Sequence, residues 1–148
     1  VAYSISQGLE CISSREGALI VYGDLVFSEK IFESIDKHES CVVINPWDNQ
    51  AREEEVGATV VNGLVTMFSF GLPWKWAQFT YLAPFEKQLF QTIANEPHRK
   101  RQYGYEILNE IIERGGQFKA LMMPKGQLLA EIDTSKDIAH ALQIAVGA

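Results

Sequence analysis

Cysteine, histidine and basic charge are all scarce in this chain, and each shortage excludes something. There are two cysteines, Cys11 and Cys41, without metal-ligand spacing, and Cys41 sits inside an apolar run. Free thiols in a reducing cytoplasm are expected, rather than a disulfide. His38 and His140 have no partners at ligand spacing, so no zinc site is expected. Lysine and arginine total 13 against 19 acids, a net charge of −6. That argues against broad nucleic-acid binding, although a metal can offset the charge and leave phosphate chemistry open. No apolar run approaches the length of a membrane helix. The opening VAYSISQGLE has neither the basic nor the apolar region of a secretory signal, so a cytoplasmic location without membrane attachment is expected. No Ser-His-Asp or Cys-His constellation is visible around any serine or cysteine. The 11 glycines are scattered, and none forms a phosphate-cradling run before a helix.

Two segments of like form are present. In ALIVYGD, residues 18–24, a short apolar run ends in Gly23 and the carboxylate Asp24, and helix-like SEKIFESI follows. In LLAEIDTSKDIAHAL, residues 128–142, an apolar run delivers Asp133 and a helix again begins just after. In an open α/β sheet, ligands sit in the crevice beyond the carboxyl ends of the strands. An Asp there can hold Mg²⁺ against a phosphate, since this ion takes one or two carboxylates and fills its shell with water and phosphate oxygens. Each acid also has a plainer role. Asp24 can form a turn, and Thr134 or Ser135 can cap the last helix, with Asp137 favourable in its first turn.

Length and periodicity predict one domain over residues 1–148. Helices are expected at 2–12, 29–36 (with Ser28 as N-cap), 84–94, 100–114 and 135–146. Strands are expected at 18–22, 41–45, 76–82, 117–122 and 127–132, the last two as a hairpin about Pro124–Gly126. GATVVNGLVTMFSFG reads as a hairpin around a type I′ Asn62-Gly63 turn. Residues 48–55 read as a loop. Buried strands alternating with helices predict an α/β domain: three layers, α/β/α, around a mixed, mainly parallel, Rossmann-like sheet.

Gly23-Asp24 and Glu131-Ile132-Asp133-Thr134 followed by Asp137, in this order and in strand–helix settings, carry a resemblance. The chain resembles the C-terminal half to two-thirds of a nucleotidyltransferase, of the sugar-phosphate or the phosphocholine and phosphonate cytidylyltransferase kind. The resemblance runs from about Ala2 to Ile144. It implies that Asp24 and Asp133 hold a catalytic Mg²⁺, and that an NTP is joined to a phosphorylated small molecule with release of pyrophosphate. It implies an acceptor-side acid at Glu106 and an acceptor-side position for residues 71–82. The sequence departs from the family in having no GxGxR-type nucleotide-binding loop. A truncated piece of a longer protein is the expectation, inactive alone, beside the alternative of a non-catalytic binding or assembly module that keeps the fold.

GLPWKWAQFTYL, residues 71–82, crowds Trp74, Trp76, Phe79 and Tyr81 around Lys75 and Gln78. Two readings stand. Trp74, Lys75 and Trp76, with Glu131, could wall an acceptor pocket in which aromatics enclose a cationic head group such as choline. Alternatively the segment is a hydrophobic plug or an oligomer contact, and Lys75 and Glu131 are solvated. Trp47 is equally ambiguous. His98-Arg99-Lys100-Arg101 is expected to be a solvated helix start. The apolar strand 18–22 is expected at or near a sheet edge, hidden by homodimerisation.

Overall fold

The computed structural model describes residues 1–47, 53–123, 129–132, 134, 135, 137–139, 141 and 142. In order these form helix α1 (Ala2–Leu9), strands β1 (Ala18–Val21) and β2 (Leu25–Phe27), a 3-10 helix (Glu29–Ser34) and strand β3 (Cys41–Asn45). The hairpin β4 (Val56–Val61) and β5 (Leu64–Phe70) follows, then the long strand β6 (Trp74–Leu82). Helices α2 (Pro84–Ala94) and α3 (Gly104–Glu113) and strands β7 (Lys119–Met122) and β8 (Leu129–Glu131) complete the chain.

Six strands make the main sheet, in the order β1-β6-β3-β7-β5-β4. β6 is its spine. Its C-terminal half pairs with β1, Val21 opposite Phe79 and Ala18 opposite Leu82, while its first residues pair with β4, Ala58 opposite Trp74. β3 lies along its other side. The β4–β5 hairpin also reaches β7, where Leu64 stands opposite Lys119, so β6, β3, β7, β5 and β4 close into a ring of pairings. Asn62 and Gly63 take φ of 51° and 79°, the two left-handed residues that a type I′ turn needs.

The sheet is mixed, as expected, but it is not mainly parallel. β3 and β7 form the one parallel pair among the described strands, and the other pairings are antiparallel. The reason is local: the tight hairpin and the direct return from β5 into β6 reverse the chain without a crossover helix.

Each face of the sheet has its own core. On one, Val42, Ile44, Trp76 and Leu82 pack under α1, α2 and α3 through Leu9, Phe90, Ile93, Ile107 and Leu108. On the other, Val43, Ala77 and Phe79 meet Ile31 of the 3-10 helix and the apolar side chains of β2 and β8. This outer layer is a 3-10 turn and a two-stranded ribbon where an α-helix over 29–36 was expected. Ser28 makes no side-chain cap there, and with only Ile31 buried the segment has too little apolar face to hold an α-helix. β8 likewise forms no hairpin with β7. It leaves the main sheet and pairs with β2, Leu25 opposite Glu131. Described residues within 135–142 are helical. Among the described residues no helix is long and apolar enough to cross a membrane. Cys41 is buried, with its thiol pushed up to about 11 by desolvation, and Cys11 is exposed; both are free.

Candidate functional site

The β2–β8 ribbon joins the two segments of like form. The carbonyl of Asp24 accepts the N–H of Ile132 at 2.8 Å, one residue past the Glu131–Leu25 pair. Asp24 is exposed on the turn between β1 and β2. Asp133 lies outside the described residues.

Beside this turn a cleft of about 430 Å³ opens past the carboxyl ends of β1, β5 and β8. Tyr22, the residue after β1, and Trp76 of β6 form its inner wall, with ring centroids 5.7 Å apart in an edge-to-face pair. Phe70, at the end of β5, meets Tyr105 of α3 edge-to-face at 6.0 Å, and Tyr103 stacks on Tyr105. Three carboxylates, Glu54, Glu55 and Glu131, complete the lining with Gln78 and Val56. Gln78 donates from Nε2 to Glu131 Oε1 at 2.7 Å. Lys75 forms an ion pair with Glu55, and its Nζ lies 4.0 Å from Glu131 Oε2.

Burial raises the pKa of the Tyr22 phenol to about 12, and the negative charge of nearby Asp24 adds to the shift. Tyr22 therefore stays neutral across the physiological range. The same coupling links Asp24 electrostatically to a residue of the cleft wall. The Tyr105 phenol is raised as well, by desolvation first and then by the charge of Glu106.

The candidate residues named from sequence separate into groups. Trp76 and Glu131 meet in the cleft, and Lys75 flanks it through both of its carboxylate partners. Trp74 is half-buried against the helical-face core. Glu106 sits at the start of α3, where its Oε2 accepts the N–H of Tyr103 at 2.8 Å. Phe79 and Tyr81 are buried in the sheet. Trp47 is tied down by a 2.8 Å bond from Nε1 to the Leu72 carbonyl. The basic cluster 98–101 precedes α3 in turns. Arg99 pairs with Glu110, and Lys100 lies 5.2 Å from the Tyr3 ring centroid. Sequence reading missed Tyr22, Glu54, Glu55, Val56, Phe70, Tyr103 and Tyr105, and named Gln78 without giving it a role. Tyr22 carried a signal, standing directly before Gly23-Asp24 at a strand end. The others are brought in by long-range packing.

Asp24 offers one exposed carboxylate, not an all-protein cage. An exposed carboxylate at a strand end can give Mg²⁺ one ligand and leave the remaining positions to water and phosphate. Among the described residues no group of three or more His, Cys, Asp or Glu could hold a metal ion.

No protein-family model matches the chain, and no curated protein matches it in sequence. Solved structures do match in fold. The inositol-1-phosphate CTP transferase of T. maritima superposes with a TM-score of 0.74 at 15% identity, over 97% of this chain and 60% of that one. The nucleoside-diphosphate-sugar pyrophosphorylase of Vibrio cholerae gives 0.65 at 11% identity, over 96% and 64%. The UDP-glucose pyrophosphorylase of Acinetobacter baumanii gives 0.69 at 7%, over 96% and 54%. The fold is that of the sugar-phosphate nucleotidyltransferases. The chain spans about 60% of the length of such structures.

Proposed function

We propose that this chain is the C-terminal part of a nucleotidyltransferase domain and supplies its acceptor cleft and metal-binding carboxylates. The reaction joins a nucleotidyl group from an NTP to a phosphorylated small molecule. An oxygen of the acceptor phosphate bonds to the α-phosphorus, and pyrophosphate leaves. Such transfers depend on positioning and charge neutralisation more than on covalent help from the protein. Asp24 and Asp133 would hold Mg²⁺, which neutralises phosphate charge when bound. Free thiols suit a cytoplasmic setting, and we further propose that the isolated chain is a homodimer.

The observation that carries the reading is the aromatic, acidic cleft beside Asp24. A sugar phosphate or a phosphocholine-class acceptor needs walls for its organic part and an opening towards the metal for its phosphate. Tyr22, Trp76 and Tyr105 line it with aromatic rings, and Glu54, Glu55 and Glu131 against the single positive charge of Lys75 leave it net negative. That combination favours a positively charged head group, because a desolvated cation over aromatic faces gains up to about 2 kcal/mol or more. The phosphocholine class therefore fits this lining better than a neutral sugar does. Glu106 would act at one remove, by fixing the turn that presents Tyr103 and Tyr105.

Isothermal calorimetry with phosphocholine, glucose 1-phosphate and inorganic phosphate, each with Mg²⁺, tests the proposal. Phosphocholine should bind most tightly. Trp76→Leu should weaken it, and Asp24→Asn should remove the Mg²⁺ dependence. Equal binding of all three, or none by any, would refute the acceptor assignment; none by any would favour a non-catalytic module that keeps the fold.

A further inference from the structure

β6 does not run as an even ladder. Val42 of β3 stands opposite Thr80 and Ile44 opposite Trp76, so Ala77, Gln78 and Phe79 together face Val43. At the centre of this bulge Gln78 takes φ of 58°, in the left-handed region that a non-glycine residue seldom adopts. Such a conformation persists only where its surroundings over-determine it, and bulges beside sites re-aim side chains. Ala77 and Phe79 lie in the core under the outer layer, while the Gln78 amide lines the cleft and donates to Glu131 Oε1 at 2.7 Å. The other oxygen of Glu131 faces Lys75 Nζ at 4.0 Å. A carboxylate approached from both sides has its plane fixed.

We infer that Gln78 is a positioning residue, held in a strained bulge so that its amide orients the Glu131 carboxylate towards the head group of the acceptor. The inference rests on the acceptor reading of the cleft. Steric strain gives no reason for glutamine here, since glycine adopts this φ without a clash. The side chain is what the bulge presents, and its partner lies 53 residues away on the ribbon beside Asp24.

Gln78→Gly separates the two roles. It relieves the backbone and removes an internal hydrogen bond, two opposed effects on stability, so the melting temperature should change little while phosphocholine binding weakens by about tenfold as the Glu131 carboxylate loses its fixed plane. Gln78→Asn keeps tolerance for the left-handed region but falls one methylene short, and should weaken binding likewise. Wild-type affinity in both variants would overturn the inference. So would a Gln78→Gly chain that loses stability and binding together, which marks a merely structural residue. One readout needs no ligand: the side-chain amide signals of Gln78 in a ¹⁵N correlation spectrum should move in Glu131→Gln, and unmoved signals would overturn the inference. A wild-type chain that binds no probe refutes the acceptor reading, while the amide signals still decide whether Gln78 holds Glu131.

Discussion

Tyr22 lines the cleft and stands two residues before the acid of the turn. Its folded pKa, about 12, stands above the ordinary value of 10.0. Between these two values the unfolded chain has lost the phenolic proton and the folded chain keeps it. The unfolded state therefore binds fewer protons, and stability falls as pH rises through this window. This contribution is fully present below pH 10 and lost towards pH 12. Urea titrations across alkaline pH should show the fall in the wild type and a shallower one in Tyr22→Phe. Asp24→Asn removes the repulsive part of the shift, so tyrosinate absorbance should place the Tyr22 transition at lower pH. An unchanged transition would show that Asp24 and Tyr22 are not coupled, and the link between turn and cleft would be lost. Gly104 leaves room for the same hydroxyl, since a Cβ at that position would come to 2.5 Å from the Tyr22 oxygen.

Between elements, one cross-connection is a side chain acting as a strand. Asn109, mid-way along α3, accepts the N–H of Phe68 through Oδ1 and donates through Nδ2 to the Phe68 carbonyl, both at 2.8 Å. It pins α3 to β5 and thereby holds Tyr105, one turn earlier, against Phe70 at the cleft mouth. Asn109→Ala leaves both backbone groups of buried Phe68 unpaired, at a cost of about 1–3 kcal/mol per group. Chemical denaturation should show a loss of that order, and Asn109→Asp, which keeps the acceptor but not the donor, should fall between. Neither contact can be read from sequence, because positions 68 and 109 meet only when the hairpin arches over the helical face. What is legible are the local signals. Pro84 opens α2 at its first residue. Asn62-Gly63 makes its turn. Gly115, with φ of 92°, ends α3. Periodicity also found β1, β3 and β6, but it could not find their partners. It gave β7 and β8 to each other, although one joins the main sheet and the other the ribbon. Of the site, Asp24 and Glu131 stood out because acids at strand ends are chemically conspicuous. Gln78 did not, because only the bulge makes it so.

For the whole molecule, the ring of pairings leaves one strand outside. β1 pairs with β6 alone among the described residues, and it ends the sheet. Its four residues, Ala-Leu-Ile-Val, are buried or half-buried and belong to both cores: Ile20 packs on the helical face, Leu19 and Val21 on the outer one. An apolar strand with an unpaired row of backbone groups is a template for pairing with another chain. The compared structures extend beyond the matched region, so a longer polypeptide could add sheet here. On the proposed homodimer, a second copy covers the edge in the isolated chain. Sedimentation equilibrium should therefore give twice the 16.6 kDa of one chain, with dissociation on dilution. A monomer at all concentrations, with β1 amides exchanging hydrogen as fast as an unprotected edge, would rule out edge pairing between copies. If a longer polypeptide carrying the rest of the fold is instead monomeric while this chain dimerises, the edge is the seam between the two parts of the domain. The acceptor cleft, which opens at the end of that same strand, would then lie beside it.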